Sequence, residues 1–383
     1  VAWRLMPHSN FFPAGLAAMA MLSAALMVSQ VVYAALLVEI AALIMIFPLH
    51  EPLTTTDGDA YGGSPKGGLQ YLVYASLALP GLMVAQLLLE QFAVFPSDQG
   101  LLQTATALLG LSLAVLLGAV PFQAWLSTVA EEGAPPVVTY IFTANLGTVW
   151  FLLLAYLESY RWLSQQASFS TILTVVGLIM MVVGGLLAAS QVRLGRMVGY
   201  ATLVDNGALF VALGSRQVAG LALTILMLMA RPLALGLMTL GLDGLRRIGH
   251  GSDRLDSLQS AAWSVPWRTL AFVLGGVALA GFPLSLGFYA RWGLYRLLAQ
   301  ANLFQAVLGL VGSAGVMMGL VNVVRVLLAP SQAKGARPVI VEDPVVLALI
   351  VVLMAAALGL GLFPQMVSRL ALQMAEGFTF FTG

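Results

Sequence analysis

The sequence predicts an all-α integral membrane protein of about eleven transmembrane helices, arranged as two inverted five-helix repeats plus one C-terminal helix, with two of the helices broken. Three observations predict it: a composition too apolar for a soluble core, apolar runs of spanning length along the whole chain, and Gly/Pro interruptions at matching places in the two halves. Of 383 residues, 60% are hydrophobic and only 9% are charged, and one soluble core has no means of hiding that much apolar surface. The recurring runs exceed the roughly 18 apolar residues that cross a hydrocarbon core of about 30 Å, which implies helices rather than barrel strands.

The apolar windows place the spans at residues 11–28, 31–49, 68–90, 100–126, 135–157, 169–190, 194–213, 217–242, 265–298, 302–328 and 344–372. Only Ser29 and Gln30 separate the first two, but a single helix there would be about twice the length of a span, so two are expected. The chain starts at Val1 with no basic segment and cleavage site ahead of the first run. A secretory signal is therefore not expected, and the chain reads as beginning inside its gene product.

Lysine and arginine orient the spans. With the N-terminus on side one, that side collects Arg4, Lys66, Arg193, Arg196, Arg246, Arg247, Arg254, Arg268, Arg325, Lys334 and Arg337, whereas the other holds Arg161, Arg216, Arg296 and Arg369. The positive-inside rule then sets the N-terminus on the cytoplasmic (or equivalent) side and, after an odd number of spans, the C-terminus opposite.

The fourth run is interrupted at Gly118 and Pro121, within "GAVPFQAW", and the ninth at Gly281 and Pro283, within "AGFPLSLGFYARW". Each interruption falls in the fourth helix of a set of five. Five helices cross the membrane an odd number of times, so the second set is inverted, and matched breaks point to a transport architecture with a midplane ion path. The plain alternative is that glycine and proline are common in membrane helices and are satisfied by their neighbours. The expected division is residues 1–158 for the first repeat, 159–330 for the second, and 331–383 for the C-terminal helix and tail.

A charge well inside a span costs roughly 2.5–3.5 kcal/mol on insertion scales, which makes each one a functional candidate. Glu39, Asp205, Arg231 and Arg291 qualify. The competing structural reading is a buried ion pair fixing helix register, Glu39 or Asp205 with an arginine, and for Arg291, near a helix end, snorkelling to the interface. Glu131 and Glu132, just before "GAPP", are read as water-facing residues at the positive end of the following helix. Without cysteine the chain has no disulfide, thiolate metal site or cysteine-ligated iron–sulfur cluster. His8, His50 and His250 sit at the ends of apolar runs and read as loop histidines; residues 50–68 lack the spacing of a calcium loop and read as a solvated connector. No cofactor or metal is expected, any redox centre lies in a partner, and no nucleic-acid partner is expected.

At these residues the sequence resembles the antiporter-like subunits of respiratory complex I, a family shared with Mrp-type cation/proton antiporters and membrane-bound hydrogenases. The family's "KLGAVPFHxWLPDxYEGAPTPVT" is similar to "LLGAVPFQAWLSTVAEEGAPPVVT" here, its "LKRLLAYSSIxxxG" to "LGRMVGYATLVDNG", and its "GxPxxxGFxxK" to "GFPLSLGFYAR". The resemblance covers essentially the whole chain, as helices four to fourteen of the usual fourteen, and "EGAP" followed by "VVT" resembles the N-type subunit of NADH:quinone oxidoreductase.

That resemblance implies two inverted five-helix bundles with broken helices, in the bacterial cytoplasmic membrane or an organelle inner membrane. It implies other membrane-arm subunits as partners, no cofactor and no independent catalysis. It also implies proton translocation along a midplane chain of a glutamate, lysines and water, with Glu39 matching the glutamate. The sequence departs from the family at the lysines: Leu116 and Gly147 stand where two are expected, Gln123 replaces a histidine, and Arg231 and Arg291 align with later ones. Arginine stays protonated and so holds charge without relaying protons. The path implied for this chain therefore runs by Glu39 and Asp205 with Ser112, Thr143 and Asn145, while Arg231 and Arg291 provide fixed charge. Three readings stand: a proton-translocating subunit, a scaffold that has lost its channel, and an Mrp- or hydrogenase-type antiporter subunit.

Overall fold

A computed structural model of the protein describes residues 9–28, 30–51, 53–54, 60–61, 65–95, 98–165, 167–283, 285–330 and 342–381. Arg4, His8, Lys334, Arg337 and part of the connector at 50–68 lie outside these residues.

Each of the eleven apolar runs folds into helix. In chain order the seventeen α-helices among the described residues, of which α8 and α12 lie between runs, are α1 (Phe11–Met27), α2 (Val31–His50), α3 (Pro65–Val94), α4 (Gln99–Leu116), α5 (Ala124–Glu132), α6 (Pro135–Tyr140), α7 (Leu146–Ser159), α8 (Arg161–Gln165), α9 (Ala167–Ala189), α10 (Leu194–Gly214), α11 (Val218–Ile248), α12 (Ala261–Ser264), α13 (Pro266–Ala280), α14 (Leu286–Ala301), α15 (Leu303–Leu328), α16 (Pro344–Leu362) and α17 (Gln365–Glu376). Among the described residues nine helices are long and apolar enough to cross a membrane, and α1 and α13 are shorter apolar helices. The protein is thus an integral membrane protein. A two-residue antiparallel pairing, Leu53–Thr54 with Ala60–Tyr61, lies in the connector.

Local chemistry sets several helix ends. Proline opens α6, α13 and α16, where its missing N–H costs nothing. Asp98, Asn302 and Asp343 cap α4, α15 and α16 by accepting backbone N–H groups of the first turn.

The core forms around α10, buried along nearly its whole length. Small residues let its neighbours come close: a Cβ built on Gly177 of α9 would lie 2.5 Å from the Gly207 carbonyl of α10, and one on Gly207 would lie 2.6 Å from the Gly177 carbonyl. Gly185 of α9 stands in the same relation to Gly312 and Gly315 of α15. Such approach between helix backbones is how membrane helices gain packing energy where lipid supplies no hydrophobic drive.

Three spans differ from the sequence reading. The run at 344–372 is two helices, because Pro364 stops α16 and the next turns carry polar residues; α17 packs on α11 through Ala371 and Ala375. The run at 135–157 contains a π-helical turn, Ile141–Asn145, between α6 and α7. The run at 217–242 continues through Pro232 as far as Ile248.

The fourth and ninth runs are each two helices. α4 stops at Leu116 and α5 begins at Ala124; Gly118 turns the chain at φ +65°, where a Cβ would also meet Leu126 at 2.6 Å. α13 stops at Ala280 with Gly281 as a left-handed cap at φ +73°, and Ser285 caps α14 by accepting from the Phe288 N–H.

Candidate functional site

Proline carries no N–H, so Pro121 and Pro283 leave the carbonyls four residues earlier, Leu117 and Leu279, without their helical donors. Buried side chains take over both carbonyls. Asn206 Nδ2 donates to Leu117 O at 2.9 Å, and Arg291 Nη2 donates to Leu279 O at 3.2 Å.

The two replacements belong to one network. Arg291 Nη2 also donates to Asp205 Oδ1 at 3.0 Å, Arg231 Nε donates to Asp205 Oδ2 at 2.8 Å, and Arg231 Nη2 donates to Asn206 Oδ1 at 2.7 Å. Trp150 Nε1 donates to the same Asn206 oxygen at 3.3 Å. A continuous hydrogen-bonded chain therefore runs from the first break, through Asn206, Arg231, Asp205 and Arg291, to the second. Every polar residue in it is buried. Adjacent positions 205 and 206 on α10 serve the two ends, and α10 is the helix least able to reach lipid or water.

The structural reading of Asp205 as half of an ion pair holds, with two arginines instead of one. The snorkelling alternative for Arg291 does not. Its side chain is 1% accessible and turns inward across Gly281, where a Cβ would lie 1.9 Å from Arg291 Cγ.

Glu39 lies apart from this cluster. It accepts from Ser76 Oγ at 2.8 Å and makes no ion pair among the described residues. It lines a cavity of about 20 Å³ together with Tyr71, Trp125, Asn145 and the apolar Leu116, Leu146 and Val149. Asn145 Nδ2 donates to the Tyr71 hydroxyl at 2.7 Å, leaving Asn145 Oδ1 and Trp125 Nε1 buried without partners among the described residues. The volume and the unpaired polar atoms suit one water. The π turn ends at Asn145, so it sets the register at which that side chain reaches Tyr71.

The two sites approach each other at the first break. Leu116 walls the Glu39 cavity, and the next carbonyl, Leu117, is the one Asn206 holds. Of the other residues read from the sequence, Asn145 joins Glu39, whereas the Thr143 hydroxyl donates to the Thr139 carbonyl at 2.6 Å in its own helix. Ser112 is buried between α4 and α3, where a Cβ on Gly81 would meet its hydroxyl. Gly147 leaves open space: a Cβ there would meet nothing within 4 Å.

Glu131 is held away from water by ion pairs, its side chain 7% accessible, whereas Glu132 is half-buried. They close α5 at its C-terminal, negative end rather than opening the next helix. That placement is offset by Arg193 and Arg196, which bind the Glu131 carboxylate, and by Arg246, which donates to the Ala130, Glu131 and Gly133 carbonyls. Glu132 accepts from the Gly67 N–H at 2.6 Å. Sequence reading also passed over Asn206 and Trp150. The signal for Asn206 was available as the donor that a proline-orphaned carbonyl requires.

Residues 69–319 match the family described as NADH:quinone oxidoreductase/Mrp antiporter, TM. The chain is 27% identical over 362 residues to NADH-quinone oxidoreductase subunit N of Methylococcus capsulatus, an alignment covering 89% of this chain and 73% of the relative. Its similarity to the subunit of the same name from Chromohalobacter salexigens is also 27%, over 74% of this chain and 62% of that one. In fold it is similar to a chain of the Dietzia Mrp complex, at TM-score 0.79 and 17% identity, covering 97% of this chain and 78% of that one. It is likewise similar to a chain of respiratory complex I from Thermus thermophilus, at TM-score 0.73 and 23% identity, covering 94% and 79%. With more than half of its length matched, and with both helix breaks inside the matched region, the chain belongs to the NADH:quinone oxidoreductase/Mrp antiporter transmembrane family.

Proposed function

We propose that this chain is an antiporter-like membrane-arm subunit of a complex I-like NADH:quinone oxidoreductase, holding no cofactor and taking part in proton translocation coupled to quinone reduction. The names and folds of its relatives support the assembly, and other membrane-arm subunits are the partners that follow from it. The same reading sets it in a bacterial cytoplasmic membrane with the N-terminus on the cytoplasmic side. It divides the chain into inverted repeats at residues 1–158 and 159–330, with 331–383 as a C-terminal helix and tail.

The observation that carries the proposal is the contrast between the two buried carboxylates. Glu39, with one hydroxyl partner and a cavity of about 20 Å³ into which Tyr71, Trp125 and Asn145 bring polar groups, has room to gain and lose a proton through water. Asp205 has both carboxylate oxygens bound by guanidinium groups that stay charged, so it anchors an ion-pair cluster. In this reading protons are handled at Glu39, and Asp205, Arg231 and Arg291 set the potential they experience across the first break.

One observation favours the scaffold reading. Leu116 closes the Glu39 cavity on the side where the family resemblance implies a lysine, and among the described residues the only lysine is Lys66, at the end of α3. Proton pumping by the reconstituted complex decides between the two. Glu39→Gln is expected to lower the protons moved per quinone reduced while NADH oxidation continues. Unchanged stoichiometry in Glu39→Gln and in Asp205→Asn would leave only the scaffold.

A further inference from the structure

The cluster in the second half carries more positive charge than its hydrogen bonds balance. Arg231 and Arg291 contribute two guanidinium charges, and Asp205 is the one carboxylate bound to either. Both guanidinium groups are buried, and Nη1 of each has no hydrogen-bond partner among the described residues. Each Nη1 carries two N–H groups, so up to four donors are left unpaired. Both arginines line one cavity of about 10 Å³, whose remaining walls are Asp205 and the apolar or small residues Met227, Ala230, Ala234, Ala278, Leu279 and Gly287.

An uncompensated guanidinium in an apolar core is among the costliest groups a protein can bury, because its neutral form is out of reach. Gly287, the second residue of the 16-residue α14, brings the positive end of that helix to the cavity, facing the C-terminal turn of α13 at Ala278 and Leu279, so the helix ends offset each other and the excess charge is that of the arginines. Guanidinium N–H groups favour negative charge, and the wall supplies no further cation or carboxylate.

We propose that this cavity binds a single chloride ion, held between Nη1 of Arg231 and Nη1 of Arg291, as the counter-ion that neutralises the cluster. The unpaired charge selects an anion, and the size limits it: a cavity of about 10 Å³ is no larger than one water needs, so it excludes phosphate, sulfate or a carboxylate and takes a chloride as the two arginine side chains move apart. The bound ion completes the shell of both arginines and keeps them pointing at Asp205. The site is a property of the fold and stands whether or not the subunit moves protons.

The test uses the full protein purified from its membrane, with any subunits that remain attached, and bromide and chloride as probes. Bromide-exchanged crystals are expected to show an anomalous peak between Arg231 and Arg291. Replacing gluconate by chloride at constant ionic strength is expected to raise the unfolding midpoint by about 1–2 °C for each tenfold increase in chloride once the site fills. In Arg291→Met the excess charge is gone and the halide dependence is expected to vanish. In Asp205→Asn, where both arginines remain, it is expected to persist or steepen. A wild-type protein with no bromide at this position and no chloride dependence would show that a water fills the cavity, and would overturn the proposal. So would a chloride dependence that survives Arg291→Met.

Discussion

Asn206 holds the free carbonyl of the first break and is tied to the second through Arg231, Asp205 and Arg291, yet in the sequence it is hidden behind its charged neighbour. A charge inside an apolar run stands out by its cost, so Glu39, Asp205, Arg231 and Arg291 were legible as candidates. A neutral amide costs less and stands out less. Its importance comes from geometry: one side chain donates to the carbonyl freed by Pro121 and accepts from Arg231 and Trp150. Asn206→Leu keeps the volume and removes all three bonds. It is expected to destabilise the protein by about 1–3 kcal/mol for each buried group left unpaired, read as a lowered unfolding midpoint. Asn206→Asp keeps an acceptor for Arg231 and loses the donor to Leu117, so it is expected to recover part of that loss. The partner of Asp205 was legible only in kind, because spacing along the chain does not reveal that Arg291 bends inward.

At the scale of the helix, the breaks were readable because proline acts through the backbone and its effect does not wait on tertiary packing. The π turn at Ile141–Asn145 has no such local cause, and neither does the pairing of Glu131 with Arg193 and Arg196 at the start of α10. Both are fixed by what packs against them. The same distinction explains the C-terminal run, where hydropathy smoothed over Pro364 and merged α16 with the amphipathic α17. Gly281 combines local and tertiary demands, since it has φ +73° and Arg291 lies across it. Gly281→Ala is expected to cost about 1–2 kcal/mol from the backbone alone. It is expected to cost more from displacing Arg291, so that Arg291→Met and Gly281→Ala together destabilise by less than the sum of the two. Thermal unfolding of the two single variants and the double variant measures the difference.

Across the whole molecule, hydropathy and the two prolines made the helices and their breaks legible, whereas the connection between the two breaks was not, because it passes through side chains that meet only when α10 is enclosed on all sides. That connection gives the proposed function a specific test. Glu39 lies on α2 and Asp205 on α10, and the first break joins them: Leu116 walls the Glu39 cavity while Asn206 holds the Leu117 carbonyl. If the arginine cluster acts on Glu39 through this junction, cutting the link at Asn206 removes an influence that matters only while Glu39 can titrate. In the reconstituted complex, Asn206→Leu is then expected to lower the protons moved per quinone reduced in the wild-type background and to add no further loss to Glu39→Gln. The two substitutions would share one effect, the signature of residues acting in series. Losses that simply add would place Glu39 and the arginine cluster on independent routes, and the hydrogen-bonded chain between the breaks would then be a structural tie alone.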